Sequence, residues 1–229
     1  GAAVLATLQG NTVFLSEQNQ IRATYSELLK KYGILSEEGK HSFERIAVAD
    51  VVIKSPGIPE TSDIMQKIRK SGIPVISEIE FASQFVHVPI VAITGTNGKT
   101  TTSLLTHHIL TNGGINACLA GNIGSSFALQ VATGDYDLYV LEISSFQLDD
   151  CYTFAPHIAV ILNITPDHLD RYEHNMDRYV ESKFRITQNL TPADAFIYSA
   201  DDVNITNYLQ THPEIPARHF PLTLKETPM

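Results

Sequence analysis

The sequence is poor in cysteine, in positive charge and in long apolar runs, and each shortage excludes something. Two cysteines, Cys118 and Cys151, cannot build a disulfide framework in 229 residues. Both lie in apolar or strand-like surroundings, so buried free thiols in a reducing compartment are expected. Lys and Arg number 16 against 25 Asp and Glu, a formal net charge of −9. That balance argues against a general nucleic-acid or membrane-surface binder, which needs a basic patch, yet it allows a local phosphate site. No apolar run approaches the ~18 residues of a membrane span. The opening GAAVLATLQGN lacks the basic region of a secretory leader. A cytoplasmic, monomeric protein is expected. Repeats, low-complexity tracts and heptads are missing as well.

What is present is a core. Hydrophobic residues make up 43% and charged residues 18%, too apolar and too weakly charged for a disordered chain. Short β-rich runs alternate with helical stretches, the pattern of an α/β protein with mostly parallel sheets. Strands are expected at 12–16, 49–54, 74–77, 88–94, 116–120, 136–143, 158–163 and 195–199. Helices are expected at 2–9, 24–32, 60–71, 78–86, 98–112, 123–132 and 174–190. The βα rhythm restarts at Val88, which sets a domain boundary near residue 87 and two domains, 1–87 and 88–229. The last twenty residues, with Pro213, Pro216, Pro221 and Pro228, carry little assignment. The chain reads as truncated at both ends: it opens on a helix where a doubly wound domain begins with a strand, and it stops soon after a strand.

The run Gly95-Thr96-Asn97-Gly98-Lys99-Thr100-Thr101 follows an apolar strand and opens a helix. That is the setting of a phosphate loop, in which glycines let backbone N–H groups close around phosphate oxygens. Lys99 supplies a point charge, the Thr100 hydroxyl a ligand for Mg²⁺, and the helix N-terminus a partial positive charge. The spacing departs from G-x-x-x-x-G-K-[ST]: position 93 is Ile, and Gly95 stands in for the first glycine. The plain alternative is a Gly-rich turn that binds nothing.

Strand 136–143 delivers Glu142 to the carboxyl edge of the sheet, where ligands of open α/β folds collect. Glu142 is a candidate metal ligand or a solvated strand-end carboxylate. Strand 158–163 runs into Asn163-Ile164-Thr165-Pro166-Asp167-His168-Leu169-Asp170-Arg171. His168 is a candidate for metal or phosphate, or a structural histidine; Asp167 and Asp170 read as caps of the next helix. His107 and His108 read as structural. Lys183 reads as a solvated helix lysine.

Taken in order, Gly95–Thr101, Gly121-Asn122-Ile123-Gly124, Glu142-Ile143-Ser144-Ser145-Phe146-Gln147-Leu148 and Asn163–Tyr172 resemble the Mur ligases of peptidoglycan synthesis, and Val51–Gly57 extends the likeness toward the N-terminus. The E-[LI]-S-S-F-Q-L element resembles the member that adds D-glutamate. The resemblance implies a Rossmann-like first domain, its first strand missing, and an incomplete P-loop ATPase-type central domain. A C-terminal domain that binds the amino acid is absent. It implies ATP-dependent amide formation between UDP-N-acetylmuramoyl-L-alanine and D-glutamate through an acyl phosphate, with Mg²⁺, the fragment alone not turning over.

Carried over residue by residue, the resemblance puts Gly95, Thr96, Asn97, Gly98, Lys99, Thr100 and Thr101 on ATP. It puts Thr100 and Glu142 on a first metal and His168 on a second. Lys183 matches a lysine that the family carbamylates, which would turn an ammonium into a metal-binding carboxylate. Asn122, Ser144 and Gln147 match contacts to the muramoyl-alanine end. Ser55 and Gly57 would lie near the diphosphate and Glu17 near the uracil.

Overall fold

The computed structural model describes residues 1–225; Pro228 lies outside them. Helix and strand alternate through the first part: α1 (Ala2–Leu8), β1 (Phe14–Glu17), α2 (Ala23–Lys31), β2 (Leu35–Glu38), α3 (Phe43–Ile46), β3 (Val52–Lys54), α4 (Asp63–Ser71), β4 (Val75–Ser77) and α5 (Glu78–Ser83). The second part continues with β5 (Ile90–Thr94), α6 (Lys99–Asn112), β6 (Ala117–Gly121), α7 (Phe127–Thr133), β7 (Leu138–Glu142), α8 (Ser145–Leu148), β8 (Ile158–Ile161), α9 (Met176–Phe184), β9 (Ala195–Ser199), α10 (Val203–Thr211) and β10 (Arg218–Leu222).

All strand ladders among the described residues are parallel. The central sheet has the order β10-β9-β8-β5-β7-β6. Its middle strand, β5, is IVAIT, buried at every residue. That is how a strand covered on both faces must read. The chain leaves β5 toward β7 and β6, then lays β8 on the opposite side. The strand order therefore reverses at β5, and the loops after β5 and β8 meet there. A doubly wound sheet binds ligands at such a switch point.

Earlier in the chain, β1–β2 and β3–β4 remain two separate ladders. In the doubly wound order a first strand lies between the second and the fourth. Among the described residues, β1 and β3 share no neighbouring strand.

The main core crosses residue 87. Leu5 and Ala6 of α1 and Ile79 and Ala82 of α5 share one buried cluster with Phe127 of α7, Ala92, Leu141 and Ile161. Burying each large apolar side chain is worth ~1.5–3 kcal/mol. The opposite face of the sheet carries a smaller cluster, Val91, Ile93, Val140 and Val160, with Leu110 of α6 against it. Cys118 and Cys151 are both free and buried, as expected. Burial pushes the Cys151 thiol up to about 12, which keeps it protonated and unreactive.

Several expected elements shift. The helix set at 123–132 starts at Phe127, because residues 121–125 close a turn in which the Gly121 N–H donates to the Ser125 carbonyl (3.1 Å). The helix set at 174–190 starts at Met176, since Glu173 and His174 sit at φ 54° and 56°. It closes in a 3₁₀ turn, Arg185–Thr187. Asn175 caps it; neither Asp167 nor Asp170 caps a helix. His107 is structural, 3.0 Å from the Ala117 carbonyl. The proline-rich tail contributes β10, an exposed edge strand. Neither β10 nor β2, α3 and α10 has a counterpart among the expected elements. No helix among the described residues is long and apolar enough to cross a membrane.

Candidate functional site

The loop Gly95–Gly98 joins β5 to α6 at the switch point, and its conformation is fixed from the side. Asn163, just past β8, clasps it: the Asn97 N–H donates to Asn163 Oδ1 (2.8 Å) and Asn163 Nδ2 donates to the Asn97 carbonyl (3.0 Å). The Thr96 hydroxyl donates to the Thr165 carbonyl (3.1 Å) and lies 3.2 Å from the Tyr179 hydroxyl. Gly95 has φ +152°, and a Cβ there would stand 3.0 Å from Leu162 Cβ. This backbone needs glycine.

Lys99 folds back over its own loop, Nζ donating to the carbonyls of Gly95 and Thr96 (2.9 Å each). Thr100 lies in the first turn of α6, whose first N–H groups point out of the helix toward any anion held by the loop. The Thr100 hydroxyl donates to Glu142 Oε2 (2.9 Å), and Asn122 Nδ2 donates to Glu142 Oε1 (2.7 Å). Glu142 ends β7 and is 1% exposed. Two neutral donors do not balance a buried carboxylate, so the pair of oxygens is ready for a cation. A hard cation that takes one or two protein oxygens and completes its shell with phosphate and water fits here, which describes Mg²⁺. Beside it, Gly121 has φ +102°, and a Cβ there would collide with the Glu142 carbonyl oxygen. That close approach brings Asn122 to the carboxylate.

Lys183, in α9, is no solvated lysine: it is 1% exposed. Its Nζ donates to the Gly95 carbonyl (2.9 Å) and sits 4.6 Å from the Tyr179 ring centroid. Burial, then the nearby Lys99 charge, pushes its pKa down to about 7 from 10.5. Between these values the folded state binds fewer protons than the unfolded state, so stability rises with pH across this window. Below it the buried ammonium is a full penalty. Lys183→Met is therefore expected to stabilise the chain most near pH 6, with the gain shrinking toward pH 10. Urea unfolding at both ends of the window checks this; a pH-independent gain would contradict it.

The remaining expected residues make no hydrogen bond to Glu142 or Lys183. Ser144 and Gln147 form a capping box on α8, in which Gln147 Oε1 accepts from Ser144 N–H and hydroxyl (3.0 Å each). That box leaves the Gln147 Nε2 as the group able to meet a ligand. The His168 side chain is 60% exposed, 3.6 Å from Asp167 and beside the Phe146 ring. No group of three or more His, Cys, Asp or Glu able to hold a metal occurs among the described residues. Asn97 and Gly98 are exposed in the loop, and Thr101 is exposed in the first turn of α6. Ser55 and Gly57 flank the exposed turn after β3, and Glu17 ends β1, accepting from Asn19 N–H (2.8 Å).

Asn163 and Tyr179 are site residues that sequence reasoning does not single out. Asn163 has a usable signal, its place at the carboxyl end of a strand next to β5. Tyr179 has a weaker one, its i, i+4 spacing from Lys183 on a helix.

Comparison with known proteins identifies the family. Residues 93–225 match the Mur ligase middle domain and residues 3–64 the MurD N-terminal domain. A UDP-N-acetylmuramoylalanine--D-glutamate ligase of Christiangramia forsetii is 50% identical over 226 residues, covering 99% of this chain and 51% of that protein. The ligase of the same name from Cytophaga hutchinsonii is 52% identical over 228 residues, with 99% and 50% covered. The chain thus spans about half the length of these curated relatives. Among solved structures, the UDP-N-acetylmuramate:L-alanyl-gamma-D-glutamyl-meso-diaminopimelate ligase from Neisseria meningitides superposes with TM-score 0.64 at 20% identity, covering 96% of this chain and 73% of that one. MurC from Thermotoga maritima gives TM-score 0.52 at 22% identity, with 98% and 51% covered. At such identities the structures speak for the fold. The middle-domain match, spanning more than half of the sequence, makes this chain a member of the Mur ligase family.

Proposed function

We propose that this chain is the nucleotide-sugar and ATP-binding part of an enzyme that joins D-glutamate to UDP-N-acetylmuramoyl-L-alanine. Residues 1–87 would receive the nucleotide sugar and residues 88–229 would hold ATP. The observation that carries the proposal is the buried Glu142 carboxylate, held by Thr100 and Asn122 against the phosphate loop. The names borne by relatives about 50% identical support the choice of substrate and amino acid.

In the proposed reaction the substrate carboxylate attacks the γ-phosphorus of ATP, giving ADP and an acyl phosphate. The D-glutamate amine then attacks the acyl carbon and phosphate leaves. Lys99 would swing from the Gly95 and Thr96 carbonyls onto the β/γ-phosphates. Backbone N–H groups of Gly95–Thr101 would hold the same oxygens, so that catalysis rests on positioning and charge neutralisation. Thr100 and Glu142 would hold Mg²⁺, which neutralises charge on the transferred phosphoryl group. His168 and Lys183 are the proposed ligands of a second metal. For Lys183 this requires carbamylation, and a lysine pushed down to about 7 has the neutral amine that carbon dioxide needs. Asn122, Ser144 and Gln147 would meet the muramoyl-alanine end, Ser55 and Gly57 the diphosphate, and Glu17 the uracil.

Calorimetric titration of the full-length protein with UDP-MurNAc-L-Ala, UDP-MurNAc-L-Ala-D-Glu and Mg-ATP tests the proposal. Selective binding of the monopeptide is expected. Preference for the dipeptide would make it the next ligase in the series. ATP binding without either sugar would leave only a nucleotide-binding module.

A further inference from the structure

The turn Ser55–Pro56–Gly57 is tied to the second half of the chain by two links, and neither touches the phosphate loop. Lys54 ends β3 and is 7% exposed. Its Nζ pairs with Asp150 Oδ2 at 2.9 Å and with Glu60. Asp150, 1% exposed, lies two residues past α8. Its other oxygen accepts from Arg69 of α4, and Arg69 also forks onto Glu60, Nε and Nη2 each 3.0 Å from a carboxylate oxygen. The two positive and two negative charges cancel. The Ser77 N–H adds a main-chain bond to the Asp150 carbonyl (2.9 Å). The second link is Arg171, whose Nη2 donates to the Pro56 carbonyl (3.3 Å). Its guanidinium lies 4.5 Å from the ring centroid of Phe146, the neighbour of Gln147.

A buried ion pair is a poor glue, because desolvating the charges cancels most of their attraction; apolar residues of similar volume hold elements together as well or better. What charged, hydrogen-bonded groups add is a fixed distance and direction. The positions matter here. Lys54 directly precedes Ser55, and Asp150 follows Gln147 by three residues. Arg171 grips the same turn from the side of Phe146. Both links therefore span the gap between the residues proposed for the diphosphate and those proposed for the muramoyl-alanine end.

We infer that Lys54, Asp150 and Arg171 are positioning residues that set the separation of the Ser55–Gly57 and Ser144–Gln147 turns, and so the span of nucleotide sugar that can reach both. This rests on the function proposed above. The site for ATP, at the β5 loop, has no share in either link.

Steady-state kinetics of the full-length enzyme test the inference, with Asp150→Asn and Arg171→Met made separately. Asp150→Asn keeps the shape and an acceptor for Arg69 but removes the charge that faces Lys54. Arg171→Met keeps an apolar stem on Phe146 and removes the donor to Pro56. Each is expected to raise KM for UDP-MurNAc-L-Ala roughly tenfold while KM for ATP moves less than about twofold. Equal rises in both KM values, or no rise in either variant, would overturn it. Should Asp150→Asn fail to fold, Arg171→Met decides alone, since Arg171 is only half-buried. A wild-type enzyme that does not use UDP-MurNAc-L-Ala would instead overturn the proposed function, and this inference with it.

Discussion

On the function proposed above, Glu142→Gln in the full-length protein is expected to lower kcat by about 10³-fold, the order seen when a group that stabilises transition-state charge is removed. Glutamine keeps the length of the side chain and one oxygen. Asn122 Nδ2 can still donate to that oxygen, as it does to Glu142 Oε1 (2.7 Å). What disappears is the negative charge opposite Thr100. An amide nitrogen in place of Oε2 cannot bind a hard cation, which takes oxygen ligands. The effect should fall on the reaction with ATP and leave KM for the nucleotide sugar within a few-fold. Initial rates measured against Mg²⁺ concentration check it. Activity within tenfold of wild type at ordinary Mg²⁺ would remove Glu142 from the metal site.

Glu80→Ala is expected to produce the largest loss of stability, about 3–5 kcal/mol, because it takes a buried acceptor from three successive backbone N–H groups and a hydroxyl at once. Glu80 is 2% exposed. Its carboxylate accepts from three successive backbone N–H groups, Tyr152 (3.0 Å), Thr153 (2.9 Å) and Phe154 (2.9 Å), and from the Thr153 hydroxyl (2.6 Å). One side chain of α5 thus holds residues 152–154 of the loop that follows α8. Glutamine at position 80 would keep one accepting oxygen and is expected to lose about half as much. Urea unfolding of this chain measures both. A loss below about 1 kcal/mol for Glu80→Ala would mean that water replaces the carboxylate freely.

Much of this is legible in the sequence. The apolar strand before Gly95, the GKT run and the helix after it place a phosphate loop, and Glu142 is found by its position at a strand end. Local pattern settles such features because chain direction in a parallel sheet decides which loops share an edge. Lys183 and Glu80 show where pattern ends. Both occur in stretches that read as ordinary polar helix, and both are buried by partners far away: Gly95 for Lys183, residues 152–154 for Glu80. Their environment is a tertiary fact that no window of neighbours contains. The caps failed for a different reason. Asp167 and Asp170 have the right chemistry, but the positive φ of Glu173 and His174 delays the helix until Asn175 is the residue in place to cap it.

The exposed strand β10 has a consequence for self-association. In its parallel pairing with β9, Arg218 N–H donates to the Asp194 carbonyl and the Leu222 carbonyl accepts from Ala200 N–H. Residues 218, 220 and 222 therefore spend their peptide groups on β9, and His219 and Pro221 turn theirs outward. Proline has no N–H, so the outer side of β10 offers a single donor, that of His219. A second strand laid along it would meet a broken ladder. Pro221, one of the four prolines that left the tail without assignment, thus makes the outer side of β10 a poor template for pairing with another strand.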